Sequence, residues 1–183
     1  PNSFSQEKFI RNNFPTLNNK IYTITNFVDT DYFKPINNKI CNEYPLIISV
    51  GRITPQKNIL NYLYAIKFLV DKGYKFKAVW YGNTDNNEYQ LKCITLINEL
   101  DLQEYFEFRP VTTDILKEYQ KAEIFCLPSN YEGFPNVICE AMCCGLPILC
   151  SDVCDNPQIV KDGVNGFLFN PNDVEMIATQ ISK

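Results

Sequence analysis

Histidine is absent from all 183 residues. That removes the commonest general base and the commonest metal ligand together, so any catalysis must rest on other groups or be completed by residues outside this chain. No apolar run approaches ~20 residues, which excludes a membrane-spanning helix. The opening residues also lack the basic-then-apolar pattern of an export signal. Neither charge sign dominates: 17 Lys and Arg stand against 21 Asp and Glu, a formal net charge of −4, and no long run of either sign occurs. That balance argues against a nucleic-acid binder.

Paired cysteine motifs are missing too. Eight cysteines are present, but they sit in apolar runs (EIFCLPS, ICEAMCCG, PILCSD) and not at the spacing of a disulfide framework or of the C-x2-C hairpins of a zinc site. Cys139, Cys143 and Cys144 fall on one short helix. All eight read as reduced core thiols of a cytoplasmic protein, with Cys126, Cys139, Cys143 and Cys150 withdrawn from solvent. No metal and no cofactor are expected.

A chain of this length buries about two-thirds of its unfolded surface, enough for one domain with a substantial core. From residue 45 onward, short apolar or β-branched runs alternate with helical patterns. YPLIISVG, YKFKAVWYG, YFEFRPV, EIFCLPS, LPILCSD and GFLFN read as strands. Between and after them, NILNYLYAIKFLVDKG, NEYQLKCITLINELDL, TDILKEYQKA, NVICEAMCCG, NPQIVKDG and NDVEMIATQIS read as helices. Strict alternation predicts parallel strands with helical crossovers, an α/β doubly wound parallel Rossmann-like sheet. Residues 1–30 read as a leading helix and linker, with weak periodicity persisting to about residue 44, and residues 31–183 as the domain proper. The start at Pro1 and the end at Lys183, inside a helical pattern, read as a fragment of something longer.

In such sheets ligands bind beyond the carboxyl ends of the strands, which singles out the loops SVGRITPQKN, RPVTTD and NYEGFPNV. Gly51 allows a turn from which Arg52 and Lys57 project beside a helix start, a cationic pocket suited to a diphosphate. Pro135 suits a first helical turn, leaving the amides of Asn136, Val137 and Ile138 facing the strand ends. Glu132 and Glu140 flank that donor-rich helix start. An anion that carries many hydroxyls, as a sugar nucleotide does, reconciles the acids with the amides. Singly, Arg52 and Lys57 read equally as solvated charges, Glu132 as a surface acid and Glu140 as a first-turn acid favoured by the helix dipole. Their joint placement weighs against that.

EGFPNVICEAMCCGLPILCSD resembles the E-x7-E signature of retaining glycosyltransferases of GT-B architecture, in particular glycosyltransferase family 4. VGRITPQKN is similar to that family's G-R-x4-K pattern. YTITNFVDTDYF resembles its interdomain linker, with Phe27 at the usual glycine, and IVKDGVNGFLF its closing DGxNG segment. The resemblance implies the C-terminal half of a GT-B fold, binding a nucleotide diphosphate sugar. It implies a transferase, here with the acceptor glycan or lipid-linked sugar held by an N-terminal domain, so that this chain alone would be inactive.

Carried over, the pattern puts Arg52 and Lys57, beside Gly51, on the diphosphate, with Glu132 at hydroxyls of the transferred sugar and Glu140 at the ribose. Arg52, Lys57 and Glu132 are then the catalytic candidates. The backbone of Gly133, Phe134, Pro135, Asn136 and Val137 would lie over sugar and phosphates, though Pro135 costs one amide donor. Arg109, Pro110 and Val111 would border the base. As clamp residues open to solvent, Arg52 and Lys57 should be removable with little loss of fold stability. The D-x-D triplet at Asp29–Asp31 matches a metal motif but is short and common by chance, and no metal is assigned to it. Two rivals remain open: a sugar-nucleotide epimerase on the same architecture, needing its own acid and base, and a non-catalytic nucleotide-binding module.

Overall fold

The computed structural model describes residues 1–183 except Asn38 and Ile40, so part of the weakly periodic stretch before residue 45 lies outside the described residues. Six strands, β1 (Leu46–Val50), β2 (Lys77–Tyr81), β3 (Phe106–Arg109), β4 (Ile124–Leu127), β5 (Ile148–Ser151) and β6 (Gly166–Phe169), form one sheet. Its order is β3-β2-β1-β4-β5-β6 and every pairing is parallel. The helices are α1 (Phe4–Asn13), α2 (Ile59–Asp71), α3 (Asn87–Glu99), α4 (Ile115–Lys121), α5 (Asn136–Cys143), α6 (Asn156–Ile159) and α7 (Val174–Ile181).

The strands are apolar at successive positions because both faces are covered. Ile47, Trp80, Phe106, Cys126, Leu149 and Phe169 pack on α2, α3 and α7. Their neighbours Ile48, Val79, Phe125, Ile148 and Cys150 point the other way, onto Tyr119, Ile138 and Ala141 of α4 and α5. The chain returns past β1 to begin β4 on the opposite side, so the strand order reverses between β1 and β4. That leaves a crevice at their carboxyl ends.

Helix ends follow their local chemistry. Gly73 takes φ +83° and its amide reaches Val70 O at 2.9 Å, closing α2 as its glycine predicts. At α5 the expectation is off by one residue. Pro135 is the N-cap rather than a first-turn residue, and Ile138 N–H is already taken by Pro135 O at 3.1 Å.

The leading segment is held against the sheet domain. Buried Asp155 accepts hydrogen bonds from Phe4 N (2.7 Å), Ser5 N (2.8 Å) and Ser5 Oγ (2.5 Å), tying the first turn of α1 to the start of α6. Burial works against the Asp155 charge, but the Ser5 hydroxyl and the two amides outweigh it and hold this carboxyl below its usual range.

The cysteine reading holds for Cys93, Cys126, Cys144 and Cys150, which are buried, and burial pushes the Cys126 thiol up to about 12. Cys139 and Cys143 are half-buried. Cys41 and Cys154 are exposed, contrary to a core role: Cys41 precedes the first strand, and Cys154 sits at φ 49° in the turn before α6.

Candidate functional site

Two loops meet across the crevice. After β1 the chain passes through Gly51 and Arg52 into a one-turn 3-10 helix, Pro55–Lys57, which ends at Asn58 with φ 55°. The strand ends approach closely here: Trp80 Nε1 donates to Gly51 O at 2.8 Å, and a Cβ on Gly82 would lie 2.0 Å from that same oxygen. A Cβ on Gly51 would stand 3.0 Å from Lys57 Cε, so glycine there makes room for the lysine stem to fold back over the strand end.

From β4 the chain runs through Ser129 to Glu132. The two loops are stitched together by Asn130 N to Gln56 O (2.8 Å), Asn130 Nδ2 to Pro55 O (3.1 Å) and Gln56 Nε2 to Tyr131 O (2.9 Å). At the centre, Lys57 Nζ lies 2.5 Å from Glu132 Oε1, with the two side chains only 12% and 8% exposed. Ser129 Oγ donates to the same carboxylate oxygen at 2.5 Å. Behind it, Ser151 Oγ donates to Ser129 O at 2.6 Å. Glu132 Oε2 takes no protein hydrogen bond among the described residues.

Glu140 lies one turn into α5, facing α4, and not in the helix's first turn as a dipole-stabilising acid would. The hydroxyl of Tyr119 donates to Glu140 Oε2 at 3.0 Å. Burial raises the Glu140 carboxyl above its usual range, and the Tyr119 hydrogen bond only partly offsets this.

Arg109 stands at the end of β3, two strands from the crevice. Its Nη1 donates to Tyr81 Oη at 2.9 Å, Tyr81 in turn donates to Glu118 Oε2 at 2.6 Å, and Glu107 pairs with the guanidinium from the same strand. Pro110 and Val111 follow, exposed in the loop. Arg52 reaches none of these groups. Its guanidinium is 69% exposed and lies 4.0 Å from Asp85. Phe134 and Val137 are half-buried, Pro135 is buried, and exposed Asn136 accepts from Asn26 Nδ2 at 2.8 Å. The linker therefore touches the helix start, and Gln6 of α1 is the nearest side chain over Gly133.

The structure thus brings Gly51, Lys57 and Glu132 into one cluster, with Glu140 and Arg109 on separate anchors and Arg52 exposed beside Asp85. The D-x-D segment is used locally, since Asp29 Oδ1 accepts from Asp31 N (2.9 Å) and Tyr32 N (3.1 Å) and caps a turn. Sequence reasoning missed Ser129 and Tyr119. Ser129 carried one signal, a hydroxyl residue at a strand's carboxyl end. Tyr119 carried none, since it occupies an inward position of α4 that reads as core.

The profile of "Glycosyl transferases group 1" matches residues 33–183. An uncharacterized glycosyltransferase of Haemophilus influenzae is 33% identical over 174 residues, covering 93% of this chain and 45% of the relative. A UDP-Gal:alpha-D-GlcNAc-diphosphoundecaprenol alpha-1,3-galactosyltransferase of Escherichia coli is 28% identical over 165 residues, covering 85% of this chain and 43% of that protein. The chain therefore spans less than half the length of these two relatives. The crystal structure of a glycosyltransferase from Rickettsia africae superposes with TM-score 0.91 at 21% identity, covering 99% of this chain and 51% of that one. The Rossmann-like sheet is thus shared with glycosyltransferases of GT-B architecture. None of the helices among the described residues is long and apolar enough to cross a membrane.

Proposed function

The chain belongs to the glycosyl transferases group 1 family, and from that premise we propose that it is the donor-binding half of a retaining, family 4 glycosyltransferase. The whole protein moves a sugar from a nucleotide diphosphate sugar to an acceptor, in polysaccharide or glycoconjugate biosynthesis in the cytoplasm. The name of the Escherichia coli relative, with its UDP-Gal donor and lipid-linked acceptor, supports this reading. Residues 31–183 form the nucleotide-sugar domain, residues 1–30 lead into it, and the acceptor is held by an N-terminal domain.

One observation carries the proposal: Lys57 and Glu132 meet at 2.5 Å across the β1/β4 crevice, where a cation for phosphate and an acceptor for hydroxyls are both needed. Arg52, exposed and loosely held, swings onto the diphosphate beside Lys57. Glu132 accepts from the transferred sugar, Glu140 from the ribose, and the loop of Arg109, Pro110 and Val111 borders the base. The bond from the anomeric carbon to the diphosphate oxygen breaks. The acceptor oxygen replaces it on the same face, and the acceptor's proton leaves to the diphosphate or to a base outside this chain. Arg52, Lys57 and the amides of Phe134, Asn136 and Val137 stabilise the departing charge, with no step assigned to a metal.

A thermal-shift screen against UDP, ADP, GDP and CDP and their sugars tests the reading. A ligand at 100 times its Kd stabilises by about 2.7 kcal/mol, which a melting curve resolves. No shift with any of them would overturn donor binding. Sugar transfer by this chain alone would overturn the division of labour between the two halves.

A further inference from the structure

We propose that Tyr119 is a positioning residue for nucleotide binding: its hydroxyl fixes one oxygen of Glu140 and so aims the other at the ribose hydroxyls. The inference rests on the reading above that Glu140 meets the ribose.

Tyr119 is fully buried on α4. Its ring packs edge-on against Phe33 and Phe125, with centroids 6.1 and 6.0 Å away. A phenol locked in this way has one donor and one direction to send it, and it sends it to Glu140 Oε2 at 3.0 Å. Glu140 Oε1 receives no protein hydrogen bond among the described residues. A glutamate side chain left to itself samples several rotamers, and ordering it opposes binding. The tyrosine removes that freedom before the ligand arrives. The hydrogen bond also favours the ionised carboxylate against the burial that disfavours it, which keeps Oε1 an acceptor for a diol.

The same arrangement recurs at the other glutamate. Ser129 and Lys57 both occupy Glu132 Oε1 and leave Oε2 open. Each acid is thus held by one oxygen and presents the other. Tyr119 is the cleaner case to test, because phenylalanine preserves its ring packing and deletes only the hydroxyl.

The test uses calorimetry on this chain with whichever of UDP, ADP, GDP and CDP binds best, and with its 2′,3′-dideoxy counterpart, which lacks both ribose hydroxyls. The wild-type chain is expected to prefer the ribonucleotide by roughly tenfold or more, the range of a hydrogen bond to a charged group. Tyr119→Phe is expected to cut that preference to about threefold or less, with affinity for the dideoxy compound held within about twofold. In a Glu140→Gln background, Tyr119→Phe should have no further effect on the preference. Tyr119→Met, which also fills the core position without a hydroxyl donor, should cut the preference as Tyr119→Phe does, and provides the test should the phenylalanine variant fold poorly.

An intact preference in Tyr119→Phe, or equal weakening of both ligands, overturns the positioning role and leaves donor binding standing. Wild-type binding with no ribose preference removes Glu140 from the ribose and overturns the inference too. No binding of any of the four nucleotides overturns the donor-binding reading and this inference together.

Discussion

Lys57 and Glu132, 75 residues apart in sequence, form an ion pair at 2.5 Å in which neither side chain is more than 12% exposed. The lysine that the sequence pattern assigns to solvent and to phosphate is already paired within the chain. This changes what its removal should do. Lys57→Ala leaves a nearly buried carboxylate with only the Ser129 hydroxyl, and such half-broken pairs cost roughly 3 to 5 kcal/mol. Arg52→Ala removes a side chain that is 69% exposed and should stay within about 0.5 kcal/mol of the parent. Denaturant melts of the two variants check the contrast. Equal, negligible losses would return Lys57 to the status of a solvated charge.

The pair also implies an exchange on binding. A diphosphate that takes Lys57 must draw it from Glu132, so the glutamate competes with the ligand for one cation. The family resemblance, which puts Glu132 at the transferred sugar, leads one to expect Glu132→Gln to leave free nucleoside diphosphate affinity nearly unchanged. With the pair in place, the neutral amide leaves the ammonium uncompensated, and free diphosphate binding should tighten several-fold, on the order of 1 kcal/mol. The sugar-bearing donor should weaken, because the acceptor for its hydroxyls is poorer. Calorimetry with both ligands decides, and weaker binding of the free diphosphate by the variant would contradict the exchange.

The fold was largely legible because its signals are local. LIISV is apolar at nearly every position, as a strand covered on both faces must be, and Gly73 marks the end of α2 by its left-handed backbone. The candidate site was legible only as residue types in loops. That Lys57 meets Glu132 depends on β1 lying beside β4, a pairing with Ile47 opposite Ile124 that no local window contains. Tyr119 was invisible for another reason. Its ring is core and only its hydroxyl belongs to the site, so its position on the helix face says nothing of its second contact. Asp155, which pins α1 across 150 residues, likewise sits in a turn with no pattern of its own.

Asp155 gives the leading helix a pH signature. Its folded carboxyl lies below the usual range despite burial, through the hydrogen bonds of Ser5 and Phe4. A carboxyl with a depressed folded value adds stability that is present above the unfolded value of about 3.9 and is lost as pH falls through the folded value. The wild-type chain should therefore lose stability more steeply with acid below about pH 4 than Asp155→Asn, which at neutral pH is already weaker by roughly 1 to 2 kcal/mol for want of a charged acceptor. Parallel acid profiles for the two proteins would show that this carboxylate does not hold α1.

Glu140 should titrate with the opposite sign. Burial raises its carboxyl, so the folded chain binds this proton more tightly than the unfolded chain does, and the group's contribution to stability improves as pH falls through the raised value. Binding moves the other way, because only the ionised carboxylate accepts strongly from ribose hydroxyls. The groups around it stay silent: burial pushes the Cys139 and Cys144 thiols up to about 11 and lifts the Tyr119 hydroxyl well above its ordinary value. The diphosphate itself titrates near pH 6, so the useful quantity is the ratio of wild-type to Glu140→Gln affinity for the same nucleotide. At pH 7.5 that ratio should be roughly tenfold or more. It should shrink toward one as pH is lowered, beginning above the pH at which an exposed glutamate protonates, near 4.3. A ratio near one at every pH would mean that the ionised Glu140 carboxylate contributes nothing to holding the nucleotide, and a tenfold ratio that acid leaves unchanged would mean that its carboxyl is not raised.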